Sequence, residues 1–103
     1  MTDDVQKTID EAVKGNKVVL YMKGTPSMPQ CGFSAAVVAC LKEVGEPFHS
    51  VNVLADPAVR DGIKRYSNWP TIPQLFVRGE LVGGADIVRE MHAKGELAAH
   101  IKG

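Results

Sequence analysis

Short apolar runs alternate with helix-type patterns along this chain, and that alternation limits the fold more than any other feature. Residues 17–22 and 48–53 are short runs with the β-branched and aromatic residues that are typical of strands. Between them, residues 35–41 form an apolar segment that Gly45 ends, as expected of a helix. Two strands joined through a helix run parallel, with a right-handed crossover. The first half of the chain therefore predicts a β-α-β unit.

Two further helices are predicted, one before the first strand and one after the second strand. Apolar residues at every fourth position from Val5 to Val13 predict a first helix that ends at Gly15. Asp56-Pro57 combines a capping residue with a proline suited to a first helical turn. We therefore predict a helix from this pair to about Ser67.

The remaining segments predict a loop, a hairpin and a C-terminal helix. Residues 24–30 contain two prolines and a glycine, which predicts a loop without regular structure. Residues 74–82 predict two short strands around a tight turn at Gly79-Glu80. A helix follows Gly83-Gly84, and residues 96–101 predict a last helical turn or two. The order α-β-α-β-α-β-β-α predicts an α/β, thioredoxin-like fold, in which helices flank both faces of a four-stranded mixed sheet.

Composition limits the classes of partner. At 103 residues, with 45% hydrophobic residues, the chain predicts a single domain over residues 1–103 with a core of its own. Twelve basic and twelve acidic side chains give no net charge, which argues against binding nucleic acid or an anionic membrane. No apolar run is long enough to span a bilayer. The acidic start lacks the pattern of a signal or transit peptide, so we expect a cytoplasmic protein.

Two cysteines are too few for a disulfide-stabilised scaffold. On one helix, Cys31 and Cys40 would lie roughly 13 Å apart along the axis. A disulfide requires α-carbons within about 7 Å of each other, so the chain is expected to carry two independent thiols. Cys40 lies among alanines, valines and Leu41, and we expect it to pack in the core.

Cys31 is the main candidate for chemistry. It precedes a predicted helix, whose free N–H groups and dipole would stabilise a thiolate, and Lys23 at the end of the preceding strand would add positive charge. The alternative is a buried, inert cysteine. Ser34 lies where a C-x-x-C pair would carry its second thiol, and a hydroxyl cannot resolve a mixed disulfide. Any thiol chemistry of Cys31 therefore requires a thiol from another molecule.

Two other groups of residues could bind a charged ligand. Arg60 and Lys64 share a helix face and could hold a carboxylate, although the pattern by itself favours a solvated surface pair. At the predicted helix start, the N–H groups of Ala85 and Asp86 could receive a carboxylate, and the Asp86 side chain could hold an ammonium. A γ-glutamyl group has both. Helix capping by Asp86 is the alternative, and it can coexist with that role.

Several motifs together resemble the monothiol, CGFS-type glutaredoxins, and the resemblance extends over almost the whole chain. The matching residues are Lys23, Cys31-Gly32-Phe33-Ser34, Trp69-Pro70-Thr71-Ile72-Pro73 and Gly83-Gly84-Ala85-Asp86. One departure is Ala85, where many members of this family have a second cysteine. A disulfide between that cysteine and the active-site thiol therefore cannot form in this chain.

The resemblance implies a glutathione-binding pocket beside Cys31. In it, Lys23 and Arg60 would meet the glycine carboxylate of the tripeptide. The other pocket residues would be Ile72, Ala85 and Asp86, and the Ile72–Pro73 peptide bond would be cis, as in the thioredoxin superfamily. Phe33 is expected to form an apolar wall next to the thiol.

The resemblance also implies a role in iron–sulfur cluster assembly and transfer. A [2Fe–2S] cluster needs four thiolates, and Cys31 from each of two chains plus two glutathiones would supply them. The expected partners are a second copy of the chain when the cluster is bound, BolA-like proteins and apo iron–sulfur acceptor proteins. The alternative is an enzyme that reduces glutathione mixed disulfides through Cys31 alone, an activity that is weak in CGFS members.

Overall fold

A mixed sheet forms the centre of the molecule, and its middle strand has neighbours on both sides. The computed structural model describes residues 2–103, with side chains from residue 4 onward. The elements are α1 (Thr2–Gly15), β1 (Val18–Met22), β2 (Gly24–Thr25), β3 (Met28–Pro29), α2 (Gly32–Val44), β4 (His49–Asn52), α3 (Pro57–Ser67), β5 (Gln74–Val77), β6 (Glu80–Gly83), α4 (Ala85–Ala93) and α5 (Glu96–Lys102). The strand order is β4-β1-β5-β6, with β4 parallel to β1 and the other two pairs antiparallel. The predicted thioredoxin-like architecture is confirmed.

The sheet is buried on both faces, which explains why β1 is apolar throughout. Val18, Leu20 and Met22 pack in one cluster with residues of α2, α4 and α5. Val19 and Tyr21 point the other way, into a second cluster with residues of α1 and α3. Cys40 lies in the first cluster, as predicted, and burial raises the pKa of its thiol. Within residues 2–103, no helix has the length and apolarity needed to cross a membrane.

The segment predicted to be a loop contains regular structure, so that prediction was wrong. Strands β2 and β3 form a two-stranded hairpin in which Gly24 pairs with Pro29 and Thr25 with Met28. Pro26 lies in the turn between the strands, and Pro29 is the last residue of its strand. Prolines are tolerated at such edge and turn positions, because no ladder hydrogen bond needs their missing N–H.

The hairpin that joins β5 to β6 is confirmed, but its turn lies one residue earlier than predicted. Its central residues are Arg78 and Gly79, with φ of 51° and 82°. Positive φ at both central positions is the geometry that suits a two-residue hairpin. The guanidinium of Arg78 donates hydrogen bonds to the carbonyls of His100 and Ile101 at the end of α5. These bonds join the turn to the C-terminal helix.

Helix α3 begins as predicted. The Asp56 carboxylate accepts hydrogen bonds from the N–H groups of Ala58 (3.1 Å) and Val59 (3.4 Å), and Pro57 occupies the first turn.

We expect Asp56→Ala to lower the free energy of unfolding by about 1 kcal/mol, because it removes the side-chain acceptor of the cap. Urea denaturation checks this, with Asp61→Ala as an exposed control on the same helix. Equal effects of the two substitutions would contradict the capping role.

Candidate functional site

Cys31 is the N-cap residue of α2. Its backbone is extended, with φ of −150° and ψ of 135°, and its side chain is partly exposed. The backbone N–H of Ser34 is the main group that lowers the pKa of the Cys31 thiol, while partial burial opposes it. The N–H of Phe33, the charge of Lys23 and the Ser34 hydroxyl lower it further. This direction agrees with the effect that a helix N-terminus was predicted to have on the thiol.

Ser34 has a structural role that its sequence position did not reveal. Its side chain is fully buried, and its Oγ accepts a hydrogen bond from the backbone N–H of Lys23 at 3.1 Å. The same hydroxyl also interacts with the Cys31 thiol. Ser34 therefore connects the end of β1 to the start of α2. A sequence pattern indicates the missing second thiol, but this contact becomes visible only when the two elements are placed together.

A cavity of about 480 Å³ opens beside Cys31. Its volume is within the range of roughly 300–1,000 Å³ found for small-molecule sites. The lining residues come from the end of β1, the start of α2, the segment before β5 and the start of α4: Lys23, Cys31, Phe33, Trp69, Thr71, Ile72, Pro73, Gly84, Ala85, Asp86 and Ile87. Four distant segments of the chain therefore meet at one end of the sheet.

The cavity brings together most of the residues proposed from the sequence. Lys23, Cys31, Ile72, Ala85 and Asp86 all contribute to its lining. Arg60, which is exposed on α3, is absent from the lining. Lys64 on the same helix is absent as well. The assignment of Arg60 to a carboxylate therefore stays a prediction.

The N-terminus of α4 forms one wall of the cavity. Gly84 is the N-cap residue, and the exposed Asp86 lies in the first turn. A Cβ on Gly84 would lie 3.2 Å from the indole Nε1 of Trp69 and 3.4 Å from the carbonyl oxygen of Pro73. Glycine therefore allows this helix to approach the Trp69 ring closely. Trp69 both packs against Gly84 and lines the cavity.

An adjoining wall comes from the segment before β5. The Ile72–Pro73 peptide bond is cis, as the resemblance implied. Ile72 itself is almost completely buried, and Gln74 Nε2 donates hydrogen bonds to the carbonyls of Trp69 and Thr71. These bonds hold the segment to the start of β5. Thr71 also lines the cavity. The sequence assigned it no role in the site, because its position after Trp69-Pro70 is the only signal that points to it.

Phe33 and Met28 are exposed apolar side chains close to Cys31 in sequence. Phe33 follows Cys31 by two positions and is 59% exposed, and Met28 on β3 is 68% exposed. Phe33 also lines the cavity, so its predicted position next to the active site is confirmed.

Within residues 2–103, no group of three or more His, Cys, Asp or Glu side chains could hold a metal ion. One chain therefore presents a single cysteine at the cavity.

Comparison with known proteins agrees with this geometry. The glutaredoxin family model matches residues 18–82, which include Lys23, Cys31, Ser34, Ile72 and Pro73. The chain belongs to the glutaredoxin family. Its similarity to probable monothiol glutaredoxin 2 of Rickettsia typhi, 54% identity over 96 residues, covers 93% of this chain and 86% of the relative. It is thus a monothiol member of the family.

Two other relatives extend the comparison. The mitochondrial glutaredoxin-related protein 5 of Danio rerio is 54% identical over 98 residues, which are 94% of this chain and 63% of the relative. The solution structure of reduced poplar apo GrxS14 superposes with a TM-score of 0.83 at 49% identity, covering 95% of this chain and 90% of the other. Because relatives include a mitochondrial protein, the cytoplasmic location of this glutaredoxin stays a prediction.

The lowered thiol pKa gives a direct prediction. In a Cys40→Ser background, we expect the rate of Cys31 alkylation by iodoacetamide to have a pH midpoint below that of the same chain unfolded in urea, where about 8.5 is usual. The sign follows from the helix N–H groups and Lys23, which favour the anion, so the reactive thiolate persists to lower pH when the chain is folded. An equal or higher midpoint in the folded chain would contradict the assignment.

Proposed function

We propose that this monothiol glutaredoxin binds glutathione in the cavity and carries a [2Fe–2S] cluster between two chains, for cluster assembly and transfer to other proteins. The observation that carries the proposal is the placement of one thiolate, Cys31, at a cavity that also presents Lys23 and Asp86. Ser34 takes the position of a second thiol and is buried. Each site therefore offers one sulfur ligand, Cys31, and a charged pocket for the glutathione that would supply a second sulfur ligand.

The charges of the cavity fit the groups of glutathione, which has two carboxylates, one ammonium and one thiol. Lys23 suits a carboxylate, and the N–H groups at the start of α4, at Ala85 and Asp86, suit another. The Asp86 carboxylate suits the ammonium. Ile72 also lines the cavity, and it would contact the middle of the tripeptide. When bound, glutathione supplies a thiol beside Cys31. Arg60 would have to reach this site from outside the lining.

The number of sulfur ligands predicts the assembly. A [2Fe–2S] cluster is held by four thiolates. Cys40 is buried in the core and lies outside the cavity lining, so each chain would contribute Cys31 alone. Two chains would supply two sulfurs, and two glutathiones the other two. The cluster-bound form is therefore proposed to be a homodimer with one cluster, which is its cargo.

Exposed apolar side chains next to the thiol suit contact with proteins. Met28 and Phe33, which are close to Cys31 in sequence, have exposed apolar side chains. Contiguous exposed apolar surface is typical of protein interaction sites. Apo iron–sulfur acceptor proteins and BolA-like proteins are the partners proposed from the family resemblance. Ligands that are not part of the chain also suit a carrier, since they can leave when an acceptor takes the cluster.

The second candidate is glutathione-dependent reduction of mixed disulfides. The lowered pKa of Cys31 favours it, because a thiolate is a nucleophile as well as a metal ligand. Cys31 would attack the glutathione sulfur of the mixed disulfide and release the other thiol. Since Ser34 has no thiol, a second glutathione would have to free Cys31 again. We rank this activity second, as a weak one.

Anaerobic reconstitution of the full chain with iron and sulfide tests the carrier role. With glutathione present, we expect a coloured homodimer with one [2Fe–2S] cluster per two chains, and without any added thiol a colourless monomer. Cys31→Ser should abolish the cluster, because it removes the only cavity thiol of each chain. Absorbance, iron and sulfide content, and mass by size-exclusion chromatography give the readouts.

Cys40→Ser is the matched control, because it removes the other thiol from the core rather than from the cavity. It should keep the cluster. A cluster that forms equally well without added thiol, or that survives Cys31→Ser, would contradict the carrier model. A colourless monomer that rapidly reduces a glutathione mixed disulfide would favour the second candidate.

A further inference from the structure

Asn52 lies at the end of β4, outside the cavity lining, yet it bonds to the segment that carries Lys23. Its Oδ1 accepts a hydrogen bond from the N–H of Gly24 at 2.9 Å, across 28 positions of sequence. The same atom accepts from the N–H of Leu54 at 3.0 Å. One side-chain oxygen therefore joins the start of the β2–β3 hairpin to the loop after β4. Asn52 has no part in the glutathione pocket or the cluster site proposed above.

The backbone of Lys23 and Gly24 is held from several directions. The Lys23 N–H donates to Ser34 Oγ at 3.1 Å, and the Lys23 carbonyl accepts from the N–H of Gln30 at 2.9 Å. Gly24 has φ of 91°, and a Cβ there would lie 2.6 Å from the carbonyl oxygen of Met28. Gly24 is buried, so its N–H needs a partner within the protein. The Asn52 side chain is that partner.

The sheet places Asn52 where this contact is possible. In the parallel pairing of β1 and β4, Asn52 is opposite Met22, the residue that precedes Lys23. The N–H of Val53 also donates to the Met22 carbonyl at 2.9 Å. The Asn52 side chain therefore extends past the end of the β1–β4 pair and reaches the Lys23–Gly24 peptide, which directly follows β1.

We propose that Asn52 is a positioning residue for the candidate site: its carboxamide oxygen fixes the Lys23–Gly24 peptide and so keeps the Lys23 ammonium at the cavity beside Cys31. Lys23 lines the cavity and contributes to the stabilisation of the Cys31 thiolate. Asn52 acts on both only through the backbone. This deepens the proposed function, since Lys23 is one of the proposed glutathione-binding residues.

The test variant is Asn52→Ser. A serine hydroxyl at this position can still accept from an N–H two residues later, as short polar side chains commonly do, but it is too short to reach Gly24. In a Cys40→Ser background, we expect iodoacetamide to alkylate Cys31 about two- to fivefold more slowly at pH 7, the scale of an exposed charge interaction. Loss of hydrogen-exchange protection at the Gly24 amide should accompany the change.

A double-mutant cycle with Lys23→Gln separates positioning from a general loss of structure. If Asn52 acts through Lys23, then Asn52→Ser slows alkylation in the Lys23 chain and has no effect in the Lys23→Gln chain. Ser50→Ala, two residues earlier on the same strand, is the matched control and should leave the rate unchanged. Equal slowing in both backgrounds, or no slowing when the Gly24 amide has lost protection, would overturn the proposal.

Asn52→Thr is the second variant, since its hydroxyl has the same reach and its β-branched side chain suits a strand end. Failure of both variants to fold would overturn the proposal in favour of a purely structural Asn52. Iodoacetamide needs no glutathione, so the result does not depend on the proposed ligand. Calorimetry with glutathione on the unsubstituted chain is the separate check, and absence of binding there would contradict the proposed function alone.

Discussion

The hydrogen bonds at the N-terminus of α2 are the interaction on which the rest of the site depends. Cys31 is the N-cap residue of this helix, so the free N–H groups of Phe33 and Ser34 favour the thiolate over the thiol. Ser34 uses its hydroxyl to accept the Lys23 N–H, which connects the same helix turn to the end of β1. The Cys31 thiol and the backbone of Lys23 are therefore both held by one turn of helix.

The sheet brings the other parts of the site to this turn. Both faces of β1 are buried, so α2 and α4 pack on one face while α1 and α3 pack on the other. The start of α4 and the segment before β5 then reach the same end of the sheet as Cys31. Gly84 allows the final approach, because a side chain there would crowd the Trp69 ring. The cavity thus follows from helix packing on a two-sided sheet.

Local patterns predicted much of this structure from the sequence. The four sheet strands, the Asp56 cap, the buried Cys40 and the lowered pKa of the Cys31 thiol are all readable from short segments, because propensity and burial act locally there. The β2–β3 hairpin was missed, since prolines at its turn and edge resemble loop residues. The β5–β6 turn was misplaced by one residue because Arg78 takes a positive φ that its side chain does not favour.

Contacts between distant segments were beyond sequence reasoning. The bond from Ser34 to Lys23 and the bond from Asn52 to Gly24 cross between elements, and no periodicity marks them. The same limit applies to Arg60, which the resemblance assigned to a glutathione carboxylate and which is absent from the cavity lining, because the position of a helix residue relative to the cavity depends on how α3 packs. Family resemblance supplied the expected pocket, and the fold brings most of that pocket together.

The central claim is that the cavity beside Cys31 holds glutathione as the second thiol donor. The most direct measurement is a titration of the ¹⁵N-labelled apo chain with reduced glutathione, followed by amide chemical shifts. We expect changes concentrated at Ile72, Ala85 and Asp86 and around Cys31, and a roughly fivefold weaker affinity for Asp86→Asn, because an exposed ion pair contributes about 1 kcal/mol. Shifts confined to other surfaces, or none at millimolar glutathione, would contradict it.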